Sequence, residues 1–226
     1  MTSYKRGHYA AIEANELPEF LEALNKNDAR LYPLTRAATF LLLLTFVRTT
    51  ELIASTWNEF DLDGATWTIP AERMKMRRPH LVPLSRQSIK LLREVRELTS
   101  WSDWVFPNQA RPSTHMSNAT VLRALSRVGY KGRMTGHGFR ALAMSTIKEK
   151  LGYRHEVVDR QLAHAPANKV DAAYDRAMFL DDRRKMMQEW ADYLERLEHN
   201  RIHSGFTIAA ARLEPLEVLR PLRPAA

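Results

Sequence analysis

The sequence predicts a mainly α-helical domain that carries one small three-stranded antiparallel β-sheet, an α+β fold. Apolar residues recur at helical spacing in most stretches between positions 17 and 197, which is typical of amphipathic helices packed on a common core. Strand-like alternation is confined to residues 57–84, where the dipeptide Asp63-Gly64 provides a hairpin turn. These observations place the sheet inside an otherwise helical chain.

Eight helices are predicted, mostly from apolar spacing, and four of them also have a cap, a first-turn proline or a stop residue. The first four helices follow a cap at Asn15, run from Pro33 to near Val47, lie at 48–51, and cover 86–98. The fifth is capped by Ser117 and reaches Val128, and the sixth runs from near His137 to Gly152. The seventh is short and holds Val157, Val158 and Leu162, and the eighth is long and covers 180–197.

The predicted strands are 57–61, the residues around Trp67 and Ile69, and 80–84. Pro83 lacks a backbone N–H, so the third strand is expected at an edge of the sheet. We expect this sheet to be small and exposed.

Three segments are expected along the chain. Residues 1–14 are polar and aperiodic, which indicates a lead-in or linker, and residues 15–199 form the folded domain. Residues 200–226 mix scattered apolar residues with three prolines. This tail is either flexible or folds against a neighbouring subunit.

Composition limits the classes of function. A net charge of +8 on 226 residues suggests a polyanionic partner such as nucleic acid, although ordinary basic proteins share this balance. Because the chain has no cysteine, disulfides and thiolate zinc sites are excluded. The longest apolar stretch, 40–47, is far shorter than the roughly 20 residues that span a bilayer, and no signal-peptide pattern opens the chain. We therefore expect an intracellular protein without a membrane partner.

A cluster of phosphate-directed residues follows position 135. His137 and Arg140 lie three residues apart, where two side chains on one helical turn can hold a single anion. His164 could donate to the same anion, and the hydroxyl of Tyr174 could attack it. A lone histidine is more often structural than catalytic, so it is the combination that predicts phosphodiester cleavage by side chains alone.

Five stretches carry a resemblance to a known family: HGFR at 137–140, QLAH at 161–164, AAYDRA at 172–177, FVRTTELIASTWNEFDLD at 46–63 and RMKMRRPHLVPLS at 73–85. Together they resemble the catalytic region of tyrosine site-specific recombinases, in particular integrases of phages and genomic islands. Each motif alone is weak, but their order and spacing are specific. The resemblance covers residues 41–197 and implies the catalytic-domain fold of DNA breaking-rejoining enzymes.

The resemblance assigns roles to the central residues. It matches Arg48 and Arg140 to the two catalytic arginines, whose planar forks suit two phosphate oxygens. It matches His137 to a position that also transfers protons, and His164 to the later histidine near the nucleophile. Tyr174 matches the nucleophile itself.

The same resemblance places the leaving-group acid in the basic stretch after position 72. Lys75 matches the catalytic lysine, with Arg73, Arg77 and Arg78 as competing cations whose ordinary role would be contact with the DNA backbone. Glu51 matches a supporting acid that orients its neighbours.

The implied function is site-specific DNA recombination, integrative or excisive, by transesterification through a 3′-phosphotyrosyl intermediate, with neither metal nor cofactor. The implied partners are double-stranded DNA attachment sites, three further copies of the chain in a homotetramer on DNA, and accessory proteins that bend DNA or set direction. The implied location is the bacterial cytoplasm and nucleoid. Residues 202–219 are the expected segment for docking onto the next subunit.

One departure from the family leaves alternatives open. Such proteins usually carry arm-binding and core-binding domains before the catalytic domain, whereas this chain begins almost directly at the catalytic region, as an isolated domain or a truncated product would. A type IB topoisomerase-like nicking and closing activity uses the same chemistry on one duplex. A non-catalytic DNA-binding or regulatory fragment of a recombinase is the other alternative.

Overall fold

Helices dominate the fold, and a three-stranded sheet lies between the third and fourth of them. The computed structural model describes residues 9–164 and 179–199. In chain order the elements are α1 (Leu17–Lys26), α2 (Pro33–Thr45), α3 (Thr49–Ile53), β1 (Phe60–Asp61), β2 (Thr66–Ile69), β3 (His80–Pro83), α4 (Arg86–Thr99), α5 (Asn118–Leu125), which continues as a π-helical turn over Ser126–Tyr130, α6 (Gly138–Lys150), α7 (His155–Gln161) and α8 (Leu180–His199). The mainly α fold class with a small antiparallel sheet is confirmed.

Helix α2 forms the centre of the core. Every residue from Leu34 to Thr45 is buried, because the helix packs against α3, α4, α5, α6 and α8. A helix that is hydrophobic on all sides is stable only in such a position. Trp190 of α8 also donates its indole N–H to the carbonyl of Leu43 at 2.9 Å. This helix ends at Thr45 rather than near Val47.

The three strands pair antiparallel in the order β1-β2-β3, as predicted. Trp67 of β2 faces Phe60 of β1 and Val82 of β3 in the register, and Pro83 lies on an edge strand as expected. The prediction of an exposed sheet is wrong for one face: Trp67, Ile69 and Val82 are fully buried. Helix α8, which begins 97 residues after the end of β3, packs against β3.

Local side-chain bonds shorten the first strand. Residues 57–61 were predicted to be extended, but Trp57–Glu59 forms a 3-10 turn and β1 keeps two residues. The Glu59 carboxylate accepts from the backbone N–H of Thr56 at 3.2 Å and from its hydroxyl at 2.9 Å. This arrangement favours a turn over an extended strand.

The start of the domain differs from the prediction in two ways. Asn15 does not cap a helix: it lies in a 3-10 turn, and α1 begins at Leu17, since Pro18 is tolerated only in a first helical turn. The end of the expected lead-in is also packed, because Ile12 is buried and the carbonyl of Ala10 accepts from the Thr135 hydroxyl at 3.2 Å.

A buried polar cluster joins α7 to the sheet and to α8. Arg183 of α8 donates through Nε and Nη2 to the side-chain oxygen of Gln161, at 3.0 and 2.7 Å. The backbone carbonyl of Gln161 accepts from Nε2 of His80 at 3.1 Å. A carbonyl can only accept, so His80 carries its proton on Nε2.

No helix among the described residues is long and apolar enough to cross a membrane.

The burial of His80 makes folding depend on pH. Burial, followed by the neighbouring charge of Arg183, lowers the pKa of His80 to about 3. On acidification His80 binds a proton in the unfolded chain, where its pKa is that of an ordinary histidine, but stays neutral in the folded chain. The stabilisation is therefore complete above about pH 6.5 and is lost as the pH falls towards 3.

We predict that the free energy of unfolding falls by about 2 kcal/mol between about pH 7 and pH 5. Urea denaturation followed by circular dichroism measures this change. His80→Gln should unfold at lower urea but lose most of the pH slope, whereas the exposed control His155→Gln should keep it. A slope that survives in His80→Gln would contradict this account of the buried histidine.

Candidate active site

The amino end of α6 carries two of the predicted residues, His137 and Arg140, and two glycines let it approach its neighbours closely. A Cβ on Gly136 would lie 2.1 Å from the hydroxyl oxygen of Thr49 at the start of α3. A Cβ on Gly138 would lie 2.4 Å from the carbonyl oxygen of Ala10. Only glycine fits these positions, so α6 begins directly against the segment that follows α2.

Arg140 is the buried centre of the site. It is 4% exposed, and its Nη1 donates to the carbonyl of Phe46 at 2.9 Å while its Nη2 donates to the carbonyl of Leu162. Two of its five N–H groups are thus used to hold the ends of α2 and α7 together. The buried Nε has no hydrogen-bond acceptor among the described residues.

The charge of Arg140 is poorly compensated. Burial, followed by the neighbouring positive charge of Arg48, lowers the pKa of Arg140 to about 10, and the carboxylates of Glu51 and Asp159 only partly oppose this effect. The guanidinium remains protonated at neutral pH. A cation held in this way is stabilised by any anion that reaches it.

Arg48 precedes α3 and is oriented by Glu51. The carboxylate of Glu51 is 3% exposed and accepts from both the backbone N–H and the Nη1 of Arg48, at 2.8 and 2.6 Å. The Arg48 side chain is 29% exposed, so its guanidinium is fixed at one end and open to solvent at the other. Glu51 therefore orients Arg48, and its supporting role in the reaction stays a prediction.

His137 lies among positive charges. Its pKa is lowered by burial and then by the charges of Arg140, Arg48 and His164, so its surroundings favour the neutral imidazole, which can accept a proton. Its ring packs against that of Tyr9, with centroids 4.2 Å apart and planes tilted by 42°. No sequence pattern indicated Tyr9, which lies in the expected lead-in.

His164 follows α7 and is held by an unpredicted residue. Its Nδ1 lies 2.5 Å from Oδ1 of Asp159. No family motif contains Asp159, and the only sequence signal for it is an acidic residue five positions before a candidate histidine.

Lys75 lies in the loop between the 3-10 turn Ala71–Arg73 and β3. The residue is exposed, and no hydrogen bond or ion pair joins its side chain to another residue in the described part of the chain. The loop is nevertheless tied to the site, because Nη1 of Arg73 donates to the carbonyl of Glu51 at 2.8 Å and Nη2 pairs with Glu59. Both Nη atoms of Arg73 are therefore bound by groups of the protein itself.

Arg77 and Arg78 are exposed on the same loop as Lys75. The charge of Arg78 is close enough to α7 to contribute, after burial, to the lowered pKa of Arg160. Arg78 therefore lies on the side of the loop that is close to α7.

The predicted nucleophile, Tyr174, lies outside the described residues, as do residues 202–219 of the expected docking segment. Among the described residues, the structure brings Arg48, His137, Arg140 and His164 together around Glu51 and Asp159. Within 9–164 and 179–199, no three histidine and carboxylate side chains gather as metal ligands.

Comparison of the chain with known proteins identifies a family whose members have similar sequences. Residues 10–180 match the model described as the phage integrase family. The integrase of Enterobacteria phage P4 is 40% identical over 210 residues, which are 86% of this chain and 47% of that protein. The prophage integrase IntZ of Escherichia coli K12 is 39% identical over 189 residues, 84% of this chain and 46% of that protein. The chain thus spans about half the length of these relatives.

Solved structures share the fold. The integrase of mycobacterium phage Brujita superposes with a TM-score of 0.58 at 15% identity, over 93% of this chain and 65% of that one. The catalytic core of lambda integrase gives a TM-score of 0.52 at 18% identity, over 71% of this chain and 94% of that one. Together with the family match and the phage and prophage relatives, these likenesses establish that the chain is a member of the phage integrase family, the tyrosine recombinases.

Proposed function

We propose that this chain is the catalytic domain of an integrase that cuts and rejoins DNA at specific sites through a phosphotyrosine. The observation that carries the proposal is the convergence of Arg48, His137, Arg140 and His164 from three separate parts of the sequence around one cationic site. Such a site matches the needs of a phosphodiester, whose negative charge repels nucleophiles and grows during attack.

In the proposed reaction the hydroxyl oxygen of Tyr174 attacks the scissile phosphorus. A bond forms between that oxygen and phosphorus, and the bond from phosphorus to the 5′ oxygen breaks, leaving a 3′-phosphotyrosyl linkage. His137, whose pKa is lowered by burial and then by its cationic neighbours, accepts the phenolic proton. Attack by a 5′-hydroxyl of another strand reverses the chemistry and rejoins the DNA.

Arg48, Arg140 and His164 are proposed to bind the non-bridging oxygens. A cation about 4 Å from a phosphate charge contributes about 4 kcal/mol at an effective dielectric constant of about 20. Because Arg140 is already fixed by the carbonyls of Phe46 and Leu162, little reorganisation is needed when charge develops.

Lys75 is proposed to protonate the 5′ oxygen as it leaves. Its exposed position on a loop tied to Glu51 through Arg73 allows it to reach a bound duplex. Arg77 and Arg78 are proposed to contact the DNA backbone. For Arg73 we propose bracing of the loop, because its guanidinium is engaged by Glu51 and Glu59.

The proposed partner is duplex DNA carrying an attachment site. In support, a structural neighbour with the same fold is a XerH recombinase bound to its difH substrate, and another is a lambda integrase dimer bound to a core site. We propose that four copies act together on two duplexes, with residues 202–219 docking between subunits, and that accessory proteins bend the DNA and set direction. The place of action would be the bacterial cytoplasm and nucleoid.

Covalent trapping tests the proposed function. A duplex with the native attachment sequence and a nick beside the cleavage point should yield a protein–DNA adduct resistant to denaturation, because the short 5′ fragment diffuses away. Tyr174→Phe should form no adduct. Arg48→Ala and Arg140→Ala should form it about a hundredfold more slowly, the loss expected for one oxyanion-binding group.

The control is Tyr32→Phe, a change at an exposed tyrosine, which should leave the adduct yield unchanged. If wild-type protein binds the nicked duplex but forms no adduct, the regulatory-fragment alternative is favoured. Relaxation of supercoiled plasmid without exchange between sites would favour the topoisomerase-like alternative.

A sulfur leaving group tests the role of Lys75. Lys75→Ala should cleave the natural duplex about a hundredfold more slowly, since general acid catalysis contributes about that much. Replacing the 5′ bridging oxygen by sulfur should restore the rate, because a thiolate leaves without a proton.

Arg77→Ala is the matched control for this experiment. It should weaken DNA binding and reduce the dependence of log K on log salt by about one unit, with the rate at saturating DNA largely kept and no rescue by sulfur. If sulfur rescues Arg77→Ala instead of Lys75→Ala, the acid has been assigned to the wrong side chain.

A further inference from the structure

Asp159 lies on α7, outside every motif of the family resemblance, and contacts His164 directly. Its carboxylate is 2.5 Å from Nδ1 of His164, and its backbone carbonyl accepts from the N–H of His164 at 3.3 Å. The two residues are therefore joined through side chain and backbone together.

The helix that carries Asp159 is firmly placed. Gln161, fully buried, binds His80 and Arg183, and the carbonyl of Leu162 accepts from Arg140. Asp159 is thus attached to the same framework that fixes the central arginine. A carboxylate on a rigid element can orient a side chain that follows a helix end.

The pairing has a chemical consequence for His164. A carboxylate accepts hydrogen bonds, so Asp159 holds a proton on Nδ1, and a ring that also carries a proton on Nε2 can donate from Nε2 to a phosphate oxygen. His137 differs, since no carboxylate contacts its ring among the described residues and Tyr9 covers it instead.

We propose that Asp159 is a positioning residue that holds Nδ1–H of His164, so that the ring, when protonated on both nitrogens, donates from Nε2 to the scissile phosphate. This inference rests on the proposed function of the site. Its purpose is not stability: the side chains of Asp159 and His164 are 29% and 42% exposed, and ion pairs at such positions add little to folding.

Variants at position 159 separate orientation from charge. Asp159→Ala should slow adduct formation at saturating DNA by about tenfold, part of the loss expected for an oxyanion-binding group. Asp159→Asn keeps an oxygen that can accept from Nδ1 and should stay within about threefold of wild type. Urea midpoints of both should match that of wild type.

His155→Gln is the matched control, because His155 is the other histidine near Asp159, with Nε2 at 4.0 Å from Oδ1. It should react at the wild-type rate. An equal loss in His155→Gln and Asp159→Ala would indicate a general effect on α7 and would overturn the proposal.

A double-mutant cycle then asks whether Asp159 acts through His164. In a His164→Ala background, Asp159→Ala should cause no further loss of rate, since its partner is already absent. Losses that simply add would overturn the positioning role.

Nitrogen-15 spectra of the histidine rings, taken without DNA, provide a readout that does not depend on activity. In the neutral form, wild-type His164 should show the Nδ1–H tautomer, and Asp159→Ala should shift towards Nε2–H. Identical spectra would overturn the proposal. If wild type forms no adduct at all, the proposed function fails, and these spectra still decide whether Asp159 sets the tautomer.

Discussion

The two hydrogen bonds from Arg140 to the carbonyls of Phe46 and Leu162 are the constraint on which the site depends. They join the ends of α2 and α7 across a buried guanidinium, so Arg48 just after α2 and His164 just after α7 are brought to the same cation. Burying a charge with incomplete compensation is unfavourable. The buried guanidinium therefore lowers the stability of the free protein, and a bound phosphate would offset much of this cost.

Backbone strain accompanies this arrangement. Phe46 and Ala163 both adopt left-handed conformations, with φ of 41° and 51°, each of which costs about 1 kcal/mol in a residue other than glycine. Phe46 is fully buried and lies edge-on to Trp190 of α8, with ring centroids 6.5 Å apart. Core packing therefore holds the strained turns that direct Arg48 and His164 into the site. A change that loosens the helical core is therefore expected to change the geometry of the site as well.

Sequence patterns predicted the elements well and their surroundings less well. The apolar run of α2 and the hairpin turn at Asp63-Gly64 are local signals, and the helix and the strand pairing followed from them. The burial of Trp67 and Ile69 could not be foreseen, because it depends on how the sheet packs within the fold, which no local pattern records. Asn15 was misjudged because the Leu17-Pro18 pair, a short-range constraint, determines where α1 begins.

The site shows the same division. Motifs located Arg48, His137, Arg140 and His164, whereas Asp159 and Tyr9 become visible only in three dimensions, where a helix end and a chain segment meet the two histidines. The ion pair between Arg73 and Glu59 could not be predicted from the sequence either, since the two residues are fourteen positions apart. A motif identifies which side chains have the right chemistry, and packing decides which of them are held by the protein.

A crystal structure of the Tyr174→Phe variant bound to its attachment site tests the central claim most directly. The account predicts that one phosphate lies within hydrogen-bond distance of Arg48, Arg140 and His164, with the bonds from Arg140 to Phe46 and Leu162 unchanged from the free protein. A scissile phosphate bound away from these residues, or an Arg140 that releases both carbonyls to reach it, would contradict a site that is formed before DNA arrives.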